Sequence, residues 1–233
     1  MRVLLISNSG RPFLEHARPH IADFLGGGLK CLAFVTAASL DDEVVYYQRA
    51  QAALAPLPPD GIGVPVVHLR WDAEPLATLA RADAVFVGGG NTYALLKRLR
   101  EGQLLEPIRA RVQAGMPYIG SSAGANLAGP RILTTNDWNV VALDIFDALG
   151  LVPFNINPHY LETDPTMAPG SETRDDRIFE YHVVWDNVVV GIEEGTLVRV
   201  EDDAVTVRGR GRVKVFARGQ TPRWFTDGER IPL

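Results

Sequence analysis

The chain has 233 residues, a formal charge of −5 from 23 Lys plus Arg against 28 Asp plus Glu, and a hydrophobic content of 46%. That is an ordinary globular composition with enough apolar side chains for a sizeable core, which excludes disorder and a fibrous array. Without a run of Lys or Arg there is no electrostatic footprint for gripping a phosphate backbone, so nucleic acid is excluded as a partner.

The chain opens on a short apolar run before Ser7-Asn8-Ser9-Gly10, which reads as a first strand rather than a signal peptide or membrane span, and no membrane partner is expected. Runs rich in Val, Ile and Leu at 3–7, 29–36, 65–69, 84–88 and 117–120 alternate with segments of helical period at 12–25, 41–54, 73–80, 91–100 and 104–114. This rhythm predicts an α/β fold: a doubly wound, mostly parallel sheet flanked by helices. Residues 56–61 read as a turn cluster rather than a linker, so 1–233 is expected to be one domain. Beyond Asp186, short β-branched runs at 187–192, 196–200, 204–208 and 212–217 read as C-terminal antiparallel strands added to the sheet. The single cysteine, Cys31, falls in a predicted buried strand and cannot form an intrachain disulfide. No Cys/His cluster has zinc spacing, so a reducing compartment and no structural metal are expected.

Chemistry concentrates at Gly120-Ser121-Ser122-Ala123-Gly124, a G-x-S-x-G sequence that directly follows an apolar strand and opens a helix. In a nucleophile elbow the serine occupies a strained strand-to-helix turn whose neighbours must be small, which makes Ser122 the candidate nucleophile and the Ala123 N–H the first oxyanion donor. A second glycine loop, Gly88-Gly89-Gly90-Asn91-Thr92, lacks the third glycine of a dinucleotide fingerprint and the Lys-Ser/Thr of a P-loop. It is better suited to lend a second oxyanion donor, from Gly89 or Gly90. A serine hydroxyl also needs a base. Of the five histidines, His159 stands apart, in what reads as a loop at a strand end, where catalytic groups collect. For the orienting acid, Asp137, Asp144, Asp147, Glu193 and Glu194 all lie near predicted strand ends, and chain order does not choose among them.

Several spaced motifs resemble the peptidase E family of aspartyl dipeptidases: Tyr118-Ile119-Gly120-Ser121-Ser122-Ala123-Gly124-Ala125-Asn126, Val87-Gly88-Gly89-Gly90-Asn91-Thr92, Thr134-Thr135-Asn136-Asp137, Asn155-Ile156-Asn157-Pro158-His159 and Gly170-Ser171-Glu172-Thr173-Arg174. The resemblance covers essentially the whole chain. It implies a cytoplasmic serine peptidase on a fold related to class I glutamine amidotransferases, cleaving small peptide substrates of the form Asp-Xaa without a metal or organic cofactor. It further implies Ser122 as nucleophile, His159 as base, Glu194 as orienting acid and Arg174 as the partner of the substrate's aspartyl carboxylate. Arg174 also fits a plain helix start capped by Thr173; on that reading His16 is the next place to seek the aspartate pocket. Asp137 is expected to meet the substrate's free α-amino group. The chain departs from the family pattern at Glu193, where proline is usual, and at Ser121, where relatives carry tryptophan. The alternatives are an aspartyl-amide hydrolase of the cyanophycinase type and a non-catalytic sensor on the same scaffold.

Overall fold

Strand β1 (Arg2–Ile6) is apolar on both sides: Val3 and Leu5 enter one core, Leu4 and Ile6 the other. Because side chains alternate along a strand, such a run belongs in the middle of a sheet covered on both faces. The computed structural model, which describes residues 1–36, 42–56, 58, 61–162, 168 and 170–233, puts it there. Strands β1, β2 (Leu32–Val35), β3 (Val66–His68), β4 (Ala84–Val87) and β5 (Tyr118–Ser121) are mutually parallel. With β8 (Thr196–Glu201) and β9 (Ala204–Gly209) they form a sheet of order β3-β2-β4-β5-β1-β8-β9, in which β8 and β9 are antiparallel.

Helices α1 (Arg18–Leu25) and α2 (Glu43–Leu54) cover the Leu4, Ile6, Phe34 and Phe86 face. Helices α3 (Pro75–Arg81), α4 (Thr92–Glu101), α5 (Leu105–Gln113) and α6 (Ala123–Leu127) lie on the Val3, Leu5, Val85 and Val87 face. A second sheet of order β11-β10-β7-β6 shares that core through Ile156, Val190, Ile192 and Val213. It is built from β6 (Asn155–Tyr160), β7 (Val189–Glu193), β10 (Val213–Phe216) and β11 (Arg223–Phe225). Helix α7 (Arg174–Val184) packs Ile178 and Tyr181 with Tyr160, Val189 and Phe216 of this second sheet.

Three local expectations change. The first helix begins at Arg18, not at 12, because Pro19 is tolerated only in a first turn and so fixes the start. Strand β2 begins at Leu32. The preceding Lys30 and Cys31 N–H groups donate to the Asp83 carboxylate at 2.7 and 3.0 Å, so Cys31 sits half-buried ahead of the strand rather than inside it. The C-terminal runs divide between two sheets: β8 and β9 extend the first, while β7 and β10 join the second, with β7 parallel to β6. The predicted helix start at 41 and residues 57, 59 and 60 of the turn cluster lie outside the described residues. Among the described residues no helix is long and apolar enough to cross a membrane.

Candidate active site

Ser122 links β5 to α6 with φ 54° and ψ −111°, a left-handed backbone that a residue with a side chain adopts only when its surroundings impose it. The surroundings are the two flanking glycines. A Cβ on Gly120 would lie 2.3 Å from the Gly124 carbonyl oxygen, and one on Gly124 would lie 2.0 Å from that of Val87. Both obstructions are backbone, which cannot rotate away. Gly120→Ala and Gly124→Ala are each expected to cost at least ~3 kcal/mol and to lower the melting temperature or abolish soluble expression.

His159 reaches the serine from the second sheet. The sequence suggested a loop; it lies instead within β6, at an irregularity in the pairing with β7 between Asn157 and Tyr160, with φ 52°. Such a bulge re-aims a side chain that regular alternation would point elsewhere. Nε2 lies 2.9 Å from Ser122 Oγ, and Nδ1 lies 2.7 Å from Glu194 Oε1. A carboxylate only accepts, so Nδ1 carries the proton and Nε2 is left to accept from the serine hydroxyl. The His159 and Glu194 side chains are 40% and 63% exposed, so their pairing contributes orientation far more than stability.

Of the rival acids, Glu193 pairs with Arg212 at 2.8 Å and Asp147 with Arg131 at 3.2 Å. Asp137 Oδ2 accepts from the Thr92 N–H at 2.7 Å and from its hydroxyl at 2.6 Å, at the start of α4. Glu194 is thus the carboxylate brought to His159.

The glycine loop after β4 lies against the nucleophile: a Cβ built on Gly89 would be 3.3 Å from Ser122 Cβ. The Gly89 N–H is already donated to the Tyr46 hydroxyl at 3.0 Å, whereas among the described residues the Gly90 N–H has no acceptor. Ala123 opens α6, where first-turn N–H groups lack intrahelical partners. Arg174 is the first residue of α7, whose start carries a complete capping box between Thr173 and Asp176. Its neighbour Asp175 accepts from the Tyr160 hydroxyl, one residue beyond His159, and from Lys214 Nζ at 2.6 Å. Burial and then Asp175 hold the Tyr160 phenol well above its ordinary pKa, so it stays a donor. His16 packs beside Gly10, and its pKa is lowered by burial first and then by Arg210.

Lys214 is only 7% exposed and is paired to Asp175 and Glu162. Burial alone would lower its pKa, but the hydrogen bonds that the ammonium donates to Asp175 and Glu162 outweigh it and raise the pKa above its ordinary value. Lys214→Ala should cost ~2–3 kcal/mol, below the usual loss for a broken buried pair because Glu162 is 44% exposed. A melting curve measures it.

Sequence reasoning missed the strap that holds β6. Asn126 Nδ2 donates to the Ile156 carbonyl at 2.5 Å, the Thr134 hydroxyl donates to the same oxygen at 2.8 Å, and Asn136 Nδ2 donates to the Pro158 carbonyl at 2.8 Å. Asn157 Nδ2 returns a bond to the Thr134 carbonyl at 2.8 Å. The signal was the density of Asn and Thr inside the motifs, since buried amides and hydroxyls must find partners. Tyr46, which sits on α2 beside the glycine loop, carried no such signal. Among the described residues no three His, Cys, Asp or Glu side chains are grouped as a metal site requires.

A serine on an elbow, hydrogen-bonded to a histidine that a carboxylate orients, is an arrangement able to activate a hydroxyl on a doubly wound α/β scaffold. The comparisons narrow this. Residues 3–208 match Peptidase family S51, and the chain belongs to that family. It is 46% identical over 231 residues to Peptidase E of Streptomyces coelicolor, covering 98% of this chain and 92% of that protein. It is 43% identical to a probable alpha-aspartyl dipeptidase of Drosophila melanogaster, covering 92% and 89%. A putative peptidase E of Listeria monocytogenes superposes with a TM-score of 0.69 at 26% identity over 90% of this chain and 98% of that one. A peptidase from an acI-B1 actinobacterium shares the fold, with a TM-score of 0.75 at 17% identity, over 100% and 96%. The protein is therefore a peptidase, which sets aside the non-catalytic sensor.

Proposed function

We propose that the chain acts as one cytoplasmic hydrolytic domain, a serine exopeptidase that releases aspartate from dipeptides of the form Asp-Xaa. The observation that carries this is the relay from Ser122 through His159 to Glu194, joined by hydrogen bonds of 2.9 and 2.7 Å. His159 takes the Ser122 proton as Oγ attacks the aspartyl carbonyl, and the Glu194 carboxylate stabilises the imidazolium that forms. The Ala123 N–H and the second glycine donor meet the developing oxyanion, and the unengaged Gly90 N–H favours Gly90 over Gly89 for that role. His159 then gives the proton to the leaving amine, and water releases aspartate from the ester on Ser122. Apart from substrate and water, each of these steps draws on groups of this chain.

The substrate assignment rests on the names of the relatives and on Arg174. A guanidinium satisfies a carboxylate with two parallel charged hydrogen bonds, a geometry lysine does not reproduce. The bond that the Tyr160 hydroxyl donates to Asp175 ties the start of α7 to the strand that bears His159, which supports Arg174 as a substrate ligand. Asp137 spends Oδ2 on α4, leaving Oδ1 for the substrate's α-amino group.

A kinetic panel tests the assignment. Asp-Leu should exceed Asn-Leu in kcat/KM by about a thousand-fold, because losing a charged partner costs more than a neutral hydrogen bond contributes. Glu-Leu should also be poor, since one methylene moves the carboxylate off the fork. Arg174→Ala should lose more kcat/KM on Asp-Leu than on Asn-Leu. Equal losses would make Arg174 a helix-start residue and turn the search for the pocket to His16.

A further inference from the structure

Two polar residues follow the first strand, one bonded to the backbone of His159 and the other to the backbone of Gly195, the residue after Glu194. Ser7 is fully buried at the end of β1, the strand beside β5. Its hydroxyl donates to the Ile192 carbonyl at 2.7 Å and accepts from the His159 N–H at 2.9 Å, so one oxygen ties β1 to both β7 and β6. Asn8 Oδ1 accepts from the Gly195 N–H at 2.9 Å, at the turn that carries Glu194.

Each bond meets a specific need. The His159 bulge, with φ 52°, takes its N–H out of the β6–β7 ladder, and a backbone N–H left without an acceptor would favour relaxation to regular strand. A regular strand alternates its side chains, which would turn the imidazole away from Ser122. Glu194 is 63% exposed and His159 is its hydrogen-bond partner among the described residues, so its aim depends on the backbone of the turn. Gly195, with φ 76° and open space where a Cβ would stand, has no side chain to fix the turn, which is held by backbone bonds: the Gly195 N–H to Asn8 and the Gly195 carbonyl, which accepts from the Arg210 N–H at 3.1 Å.

We propose that Ser7 and Asn8 are positioning residues of the catalytic site, Ser7 acting through the His159 backbone and Asn8 through Glu194. The proposal rests on Ser122, His159 and Glu194 being the reacting relay.

The test is kcat and KM for Asp-Leu in a mutant cycle. Asn8→Ala should lower kcat by about a hundred-fold, the scale of an ångström's misplacement, with KM changed by less than about three-fold. In a Glu194→Ala background the same substitution should cost less than about three-fold, because no carboxylate remains to be aimed. Asn8→Asp keeps the acceptor and should recover most of the loss. Ser7→Ala should lower kcat in both backgrounds, and Ser7→Thr, which keeps the oxygen, should retain more kcat than Ser7→Ala despite its extra methyl. Equal losses for Asn8→Ala with and without Glu194, or none, would overturn the role of Asn8. Ser7→Thr falling below Ser7→Ala would mark Ser7 as packing alone. A fully active Glu194→Ala would instead overturn the relay itself, so the two failures are told apart.

Discussion

Ser122→Ala is expected to leave a folded protein whose turnover is lower by about a million-fold, the usual scale for removing a triad serine. The substitution deletes one oxygen whose bond is to His159 Nε2, while the Ser122 N–H keeps its bond to the Ile6 carbonyl and the elbow keeps its glycines. Nothing in the core is emptied, so the melting temperature should hold. Ser121→Ala is the control. Ser121 is fully buried and its hydroxyl lies 3.2 Å from that of Ser9, whereas it is the Ser122 hydroxyl that bonds the imidazole. It should keep most of its activity, and equal losses at the two serines would reassign the nucleophile.

Glu194→Gln is expected to lower kcat by about ten-thousand-fold, while Glu193→Gln stays mild. A glutamine amide beside Nδ1 can donate instead of accept, which favours the tautomer with Nε2 protonated and leaves nothing to take the serine proton. Glu193, one residue away, is held by Arg212, and its loss should appear in stability by no more than ~1 kcal/mol because Arg212 is 48% exposed. Stopped assays of both variants on Asp-Leu, with circular dichroism to confirm folding, decide the point. Activity retained in Glu194→Gln and lost in Glu193→Gln would redraw the relay.

The parallel half of the fold was legible because its signals are local. Apolar runs such as 84–88 alternate with helical segments, and G-x-S-x-G marks the elbow in five residues whose glycines have a geometric reason. Pairing among the C-terminal strands was not legible. Runs 187–192 and 196–200 look alike in sequence, and the chain passes from one sheet to the other at the Glu194-Gly195 turn, a choice made by long-range packing. The same reason hid the setting of His159. The segment 155–160 reads as a loop at a strand end, whereas the strap from Asn126, Thr134 and Asn136 holds it in β6 and a bulge aims the ring. Glu194 could be chosen over Glu193 only by resemblance, because the deciding contact, Arg212 on Glu193, comes from a residue far along the chain.

The central claim is that Ser122 carries the aspartyl group during turnover. On this reading, an aspartyl ester with an activated phenol leaving group is expected to acylate Ser122 faster than water removes the acyl group, so that the covalent species accumulates. Rapid acid quench followed by intact-mass spectrometry should find protein carrying one aspartyl residue, with a burst of phenol equal to the enzyme concentration. Peptide mapping should place the adduct on Ser122, and Ser122→Ala should show neither adduct nor burst. Linear phenol release from the first turnover with an unmodified protein mass, or an adduct on any other side chain, would contradict the account.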